Sequence, residues 1–131
     1  MDKLLALDLK MVEEFVGKAH SDLGRVVQLL DREQALINAA WDWGGGDWET
    51  ALGAASHMGR KDIANYLIEK GARIDLFAAA MLGKLEIVKS VLMVYPQARN
   101  VPGPHGIPLI AHAEIGGDDA KVVFDFLRSF K

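Results

Sequence analysis

An all-α solenoid of about four stacked helix-turn-helix units is the fold class this sequence predicts, and three observations predict it. A glycine-led tract, Gly59-Arg60-Lys61-Asp62-Ile63-Ala64-Asn65-Tyr66-Leu67-Ile68, is echoed by Gly83-Lys84-Leu85-Glu86-Ile87-Val88-Lys89-Ser90-Val91-Leu92. Each tract follows an alanine-rich stretch, Ala54-Ala55 in one case and Ala78-Ala79-Ala80 in the other. The apolar residues after each glycine recur at helical rather than strand spacing. Repetition of this kind marks a stack in which no unit buries its apolar face alone. Such a stack presents an extended surface, not an enclosed catalytic pocket.

The second unit is the clearest. Thr50 is a good N-cap, and the small apolar run Ala51-Leu52-Gly53-Ala54-Ala55 follows it up to a closing Gly59. An outer helix runs from about Lys61 to Lys70, with Ile63, Tyr66 and Leu67 on one face and Gly71 as its C′ residue. The third unit opens with Asp75 as N-cap, continues Leu76-Phe77-Ala78-Ala79-Ala80-Met81 and turns at Gly83. Its outer helix stops at Tyr95, because Pro96 cannot continue a helix. The short link 71–75 leaves no room for a long β-hairpin before this unit. The first unit places residues 14–20 on an inner helix, Ser21 at the turn and residues 22–30 on an outer helix. The fourth opens with Gly106-Ile107-Pro108-Leu109, turns at residues 116–119 and closes with a helix from Ala120 to about Ser129. The units span about 12–38, 50–71, 75–96 and 107–130 of a single domain, 1–131, with residues 4–11 capping the first and hairpins short or missing.

These residues resemble ankyrin repeats. The family's Thr-Pro-Leu-His start is similar to Thr50-Ala51-Leu52-Gly53 and, partially, to Ile107-Pro108-Leu109-Ile110. Its paired inner-helix alanines match Ala55-Ser56 and Ala79-Ala80, and its glycine with following acidic-then-aliphatic residues matches 59–64 and 83–88. Residues 21–38 look like the divergent first repeat common in bacterial ankyrin proteins. Gly53 and Ile110 stand where the family has a loop-bracing His, so that bracing is missing there. The resemblance implies protein recognition through inner helices and hairpin tips, with fingers mainly before units two and four. Fold alone does not fix function.

Composition excludes several classes. The chain has 131 residues, 50% apolar and 25% charged, which fits one ordinary globular domain. A formal charge of −3 argues against nucleic acid as partner, which needs a basic footprint. No apolar run approaches the roughly 18 residues that cross a bilayer. Leu4, Leu5, Leu7 and Leu9 are interrupted by Asp8 and Lys10, with no cleavage pattern of a signal peptide. The chain has no cysteine, hence no disulfide framework and no thiolate zinc site, and the cytosol is its simplest setting.

All three tryptophans lie in Trp41-Asp42-Trp43-Gly44-Gly45-Gly46-Asp47-Trp48-Glu49. Three indoles on one glycine-hinged loop either plug the inner helices or await a partner. The triple glycine is not a phosphate cradle, since no Lys-Ser/Thr follows it and no strand precedes it in a βαβ context. His57 and His112 fall near the ends of inner helices, and His105 lies on the loop Pro102-Gly103-Pro104-His105-Gly106. These three would gather with Asp42 or Glu49 in the concave groove, as metal ligands or proton carriers. The favoured reading is that each His, His20 included, braces a loop through a backbone carbonyl. No metal and no cofactor are expected, and no serine has a base partner at a fixed spacing. The final helix carries Val122, Val123, Phe124, Phe126, Leu127 and Phe130 around most of its circumference. An end repeat normally turns a polar face outward, so this end is expected to be covered by a homodimer partner through Phe124, Phe126 and Phe130, or by the chain folding back, unless the exposure is simply tolerated. The expected function is non-catalytic recognition of a protein through Trp41, Asp42, Trp43, Trp48, Glu49, His57, His105 and His112. The alternative is a small-molecule-binding or catalytic protein using the Trp, His and Asp side chains around this loop.

Overall fold

The computed structural model describes residues 4–130. Among them, eight α-helices form four successive pairs: α1 (Leu9–Lys18) with α2 (Leu23–Arg32), α3 (Ala51–His57) with α4 (Lys61–Glu69), α5 (Leu76–Met81) with α6 (Leu85–Val94), and α7 (Leu109–Ile115) with α8 (Lys121–Ser129). The first member of each pair is the inner helix. α1 packs on α3, α3 on α5 and α5 on α7, and α3 also reaches α7. The stack is therefore tightly curved.

Local chemistry sets the helix starts. Asp8, Asp22, Thr50 and Asp75 each accept a hydrogen bond from a backbone N–H in the first turn that follows. Asp8 explains why α1 begins at Leu9, so residues 9–11 belong to the inner helix and not to a separate cap. Close approach demands glycine at the turns of the later pairs. A β-carbon on Gly83, whose φ is +76°, would stand 2.0 Å from the carbonyl oxygen of Asp119. One on Gly116 would stand 2.2 Å from that of Met81. Neither turn could nest against its neighbour with any side chain present.

The core divides at α5. Phe15, Leu29, Leu36, Leu52, Ile63 and Leu67 are fully buried on one side, with the alanines of α3 between them. Val88, Leu92, Leu109, Val123 and Leu127 are buried on the other. Phe124, Phe126 and Phe130 are partly buried against this second cluster. Phe126 stacks on Phe130 at 5.5 Å, while the guanidinium groups of Arg99 and Arg128 lie over Phe130 and Phe124. The segment ahead of α7 thus reaches Phe130 through Arg99, while Phe124 and Phe126 remain partly exposed. Val122 stays outward at 54% exposure.

One two-stranded sheet occurs among the described residues. β1 (Ala40–Asp42) pairs antiparallel with β2 (Trp48–Thr50), placing Trp41 opposite Glu49 and Asp42 opposite Trp48. A second finger was expected before the fourth pair, and the structure corrects this. Residues 96–106 instead form two 3₁₀ segments. All four prolines of the chain, Pro96, Pro102, Pro104 and Pro108, fall between α6 and α7. Proline fixes φ and removes the N–H that a strand ladder requires.

Candidate functional site

The hairpin tip is ordered by one carboxylate. Asp42 Oδ1 accepts from the backbone N–H groups of Gly44 (2.8 Å) and Gly46 (3.0 Å), and Gly44, Gly45 and Gly46 all take positive φ. The three indoles separate accordingly. Trp41 packs inward on the first core cluster, Trp43 leans back over the end of α1, and Trp48 points outward at 60% exposure. A packed indole and an exposed one coexist in one loop.

Directly behind the tip lies a buried carboxylate ringed by imidazoles. Glu49, the middle residue of β2, is 1% exposed. Its Oε1 accepts from Trp43 Nε1 at 2.9 Å. Nε2 of His20 approaches Oε1 to 3.1 Å, while Nε2 of His57 and of His105 approach Oε2 to 3.0 and 3.2 Å. The imidazole centroids stand 5.0 Å apart for His20–His57, 5.1 Å for His57–His105 and 6.1 Å for His20–His105. One donor atom from each of His20, Glu49, His57 and His105 lies within 4.8 Å of the others. Burial would raise the Glu49 carboxyl, but the imidazoles of His20 and His57 and the Trp43 indole outweigh it and bring it to about 2. The same carboxylate raises His20 against the opposing effect of burial.

Two of the three imidazoles are held from behind. His20 Nδ1 stands 2.9 Å from the carbonyl oxygen of Gly17. His105 Nδ1 stands 2.7 Å from Asp47 Oδ2, and the His105 backbone N–H donates to Asp47 Oδ1 at 2.7 Å. This grip by Asp47 sustains the only non-glycine residue with positive φ among those described, His105 at 61°. Such strain persists only where surroundings over-determine it. The hydrogen bond to the His105 N–H, followed by that to its ring, lowers Asp47 below the usual carboxylate range despite the raising effect of desolvation.

Gly53 makes room for this loop. A β-carbon there would already touch Pro104 at 3.4 Å and Glu49 at 3.5 Å, so a His-sized side chain has no space. The position where the resemblance expects a bracing His is empty so that Pro104 and His105 can reach the inner helices.

Of the side chains expected to converge, Glu49, His57 and His105 do so. Asp42 is occupied at the hairpin tip. His112 is fully buried, not presented on the groove: its Nδ1 lies 3.0 Å from the Pro108 carbonyl oxygen and its ring stacks on Phe77 at 4.8 Å. With Leu109 and Ala113 it forms the buried i, i+3, i+4 stripe of α7, and burial lowers its pKa. His20 was not expected in the group. The signal was its register, since His20 and His57 both stand just before the turns of their inner helices. His112 meets only a backbone carbonyl, His20 meets both a carbonyl and Glu49, and His57 and His105 turn toward carboxylates.

The geometry is that of a helical-repeat protein with one short hairpin packed against the inner helices α1 and α3. Residues 47–77 match the Ankyrin repeat family model, from the end of the hairpin through α3 and α4 into α5. The chain thus carries an ankyrin repeat within an all-α ankyrin-like repeat fold. No curated protein and no solved structure matches it.

Proposed function

We propose that this chain is a non-catalytic protein-recognition module acting through its inner-helix face and the 40–50 hairpin. Ankyrin repeats generally mediate protein–protein interaction. The observation that carries the reading here is Trp48, a large indole held 60% exposed on an ordered strand. Solvent exposure of so much apolar surface is unfavourable, and tryptophan is enriched among the residues that dominate binding energy. Beside it runs an open apolar groove of about 370 Å³ between residues 6–12 and β1, lined by Leu7, Leu9, Val12, Ala39 and Trp41. An open trough of this kind suits an apolar side chain of a protein partner better than an enclosed metabolite. No helix among the described residues is long and apolar enough to cross a membrane. A cysteine-free acidic chain fits a cytosolic setting and a partner other than nucleic acid. A homodimer through the C-terminal pair would use the outward Val122 beside Phe124, Phe126 and Phe130, which are partly buried.

The test is affinity capture from a native lysate with wild type, Trp48→Ala and Lys121→Ala as a remote control. Partners retained by wild type and the control but lost by Trp48→Ala support the reading, provided thermal stability is unchanged. Identical partner sets for all three proteins reject it.

A further inference from the structure

We propose that His20, Glu49, His57 and His105 form a binding site for one divalent transition-metal ion of the zinc type, which fastens the hairpin to the helix stack. The donor set is three imidazole nitrogens and one carboxylate oxygen, a combination suited to zinc and the neighbouring imidazole-preferring metals. Bonds of about 2.0–2.1 Å to a tetrahedral ion separate its donor atoms by roughly 3.3 Å. Here each Nε2 stands 3.0–3.2 Å from one of the two Glu49 oxygens, and the four donor atoms lie within 4.8 Å of one another, so a modest contraction would close them on an ion. Four protein donors around an enclosed point make a closed, structural site.

Two further observations favour a cation over a set of hydrogen bonds. His57 Nε2 and Glu49 Oε2 are buried 3.0 Å apart, yet among the described residues neither makes a hydrogen bond of acceptable geometry. Atoms that share a cation point toward a common centre and not along one another's bonds. The second observation is proton placement. A carbonyl oxygen only accepts, so His20 Nδ1 carries a hydrogen, and the ionised Asp47 imposes the same on His105 Nδ1. Each Nε2 then brings a lone pair to the carboxylate or takes a second proton. Without a metal, the two Nε2 lone pairs face a carboxylate that can only accept. With one, every Nε2 lone pair has a use, and Gly17 O and Asp47 act as the outer partners that fix ligand tautomers. His20 and His105 keep side-chain exposures of 21% and 32%, which leaves a route for the ion.

This inference goes beyond protein recognition and is tested without a partner. Untagged protein is stripped with a chelator and titrated with Zn²⁺ by calorimetry, and with Co²⁺ by visible spectroscopy. Wild type is expected to take up one equivalent of Zn²⁺ with Kd tighter than about 1 μM, and to give Co²⁺ the ligand-field bands of a tetrahedral site. His57→Gln should weaken Zn²⁺ at least ~100-fold, because loss of an outer partner alone costs about 10–100-fold. His105→Asn guards against misfolding, since Asn tolerates the left-handed backbone and keeps the N–H bond to Asp47 while losing Nε2. It should weaken Zn²⁺ by a similar factor, with circular dichroism unchanged. Trp48→Ala should bind Zn²⁺ as wild type does, separating this site from the recognition surface. Absence of stoichiometric uptake by wild type at micromolar Zn²⁺, or wild-type affinity in both His57→Gln and His105→Asn, overturns the proposal.

Discussion

Replacing Glu49 by Gln should destabilise the metal-free protein by about 2–3 kcal/mol. The substitution preserves volume, so no cavity contributes, and the whole effect is electrostatic. It removes the charge that faces His20, His57 and His105, and it turns half of the acceptor of the Trp43 indole into a donor. Removing one partner of a buried charged pair costs roughly 3–5 kcal/mol. Water still reaches His20 and His105, at 21% and 32% side-chain exposure, and lowers the cost to about 2–3 kcal/mol. For a chain of 131 residues each kcal/mol moves Tm by about 3–5 °C, so a fall near 10 °C is expected. The assay is urea unfolding at pH 6 with chelator present, followed by tryptophan fluorescence and far-UV circular dichroism, with an unchanged m-value. A loss below about 0.5 kcal/mol, the range of an ordinary surface change, would show that the carboxylate is not engaged by its three neighbours.

Three other outcomes follow from the same coordinates. In chelated protein the stability gap between wild type and Glu49→Gln should be widest between pH 4.5 and 6.5. His20, raised by Glu49, adds stability that is complete below 6.5 and fades as pH climbs through its folded value, while Glu49, lowered to about 2, adds stability above 4.5 that disappears toward pH 2. His57 and His105 face the same carboxylate and Asp47 faces His105, while His112, lowered by burial, destabilises both proteins alike on acidification, so urea titrations of the pair across pH report the coupling of the whole cluster to Glu49. Gly83→Ala should cost at least ~3 kcal/mol, through a left-handed backbone and a contact with Asp119, whereas Gly71→Ala, with open space around it, should cost about 1 kcal/mol by the same unfolding assay. Trp41→Ala should lose about 2–4 kcal/mol because its ring packs on the first core cluster, while the outward Trp48→Ala stays within about 0.5 kcal/mol in thermal melts.

The helix pairs were legible because their signals are local: a cap, an alanine run, a glycine, then an apolar stripe. Thr50 and Asp75 act as N-caps where the sequence places them, and Gly59 and Gly83 take the positive φ expected of their turns. The candidate site was only partly legible because its members have no common spacing. His57 and His105 are named by their residue type, but whether they brace loops or meet a carboxylate depends on contacts between distant segments. His112 lies in the core and not on the groove because with Leu109 and Ala113 it completes the inward stripe of α7. For α8 the sequence leaves a second chain and a fold-back both open, since nothing in residues 96–106 announces by itself that Arg99 lies over Phe130.

The Glu49 cluster draws on the first, second and fourth helix pairs, and Lys61 on α4 reaches Asp119 beside α8 at 2.8 Å. In a linear array each module touches only its neighbours, and terminal modules can fray while the rest survives. Here the third module is bridged over, its low alanine helix admitting the arm that carries His105. Peeling away either end therefore breaks contacts in the middle, and the molecule should melt in one cooperative step. Assembly carries the complementary burden: residues as far apart as His20 and His105 must meet before the closure stabilises anything, so refolding should be slower than helical content alone suggests.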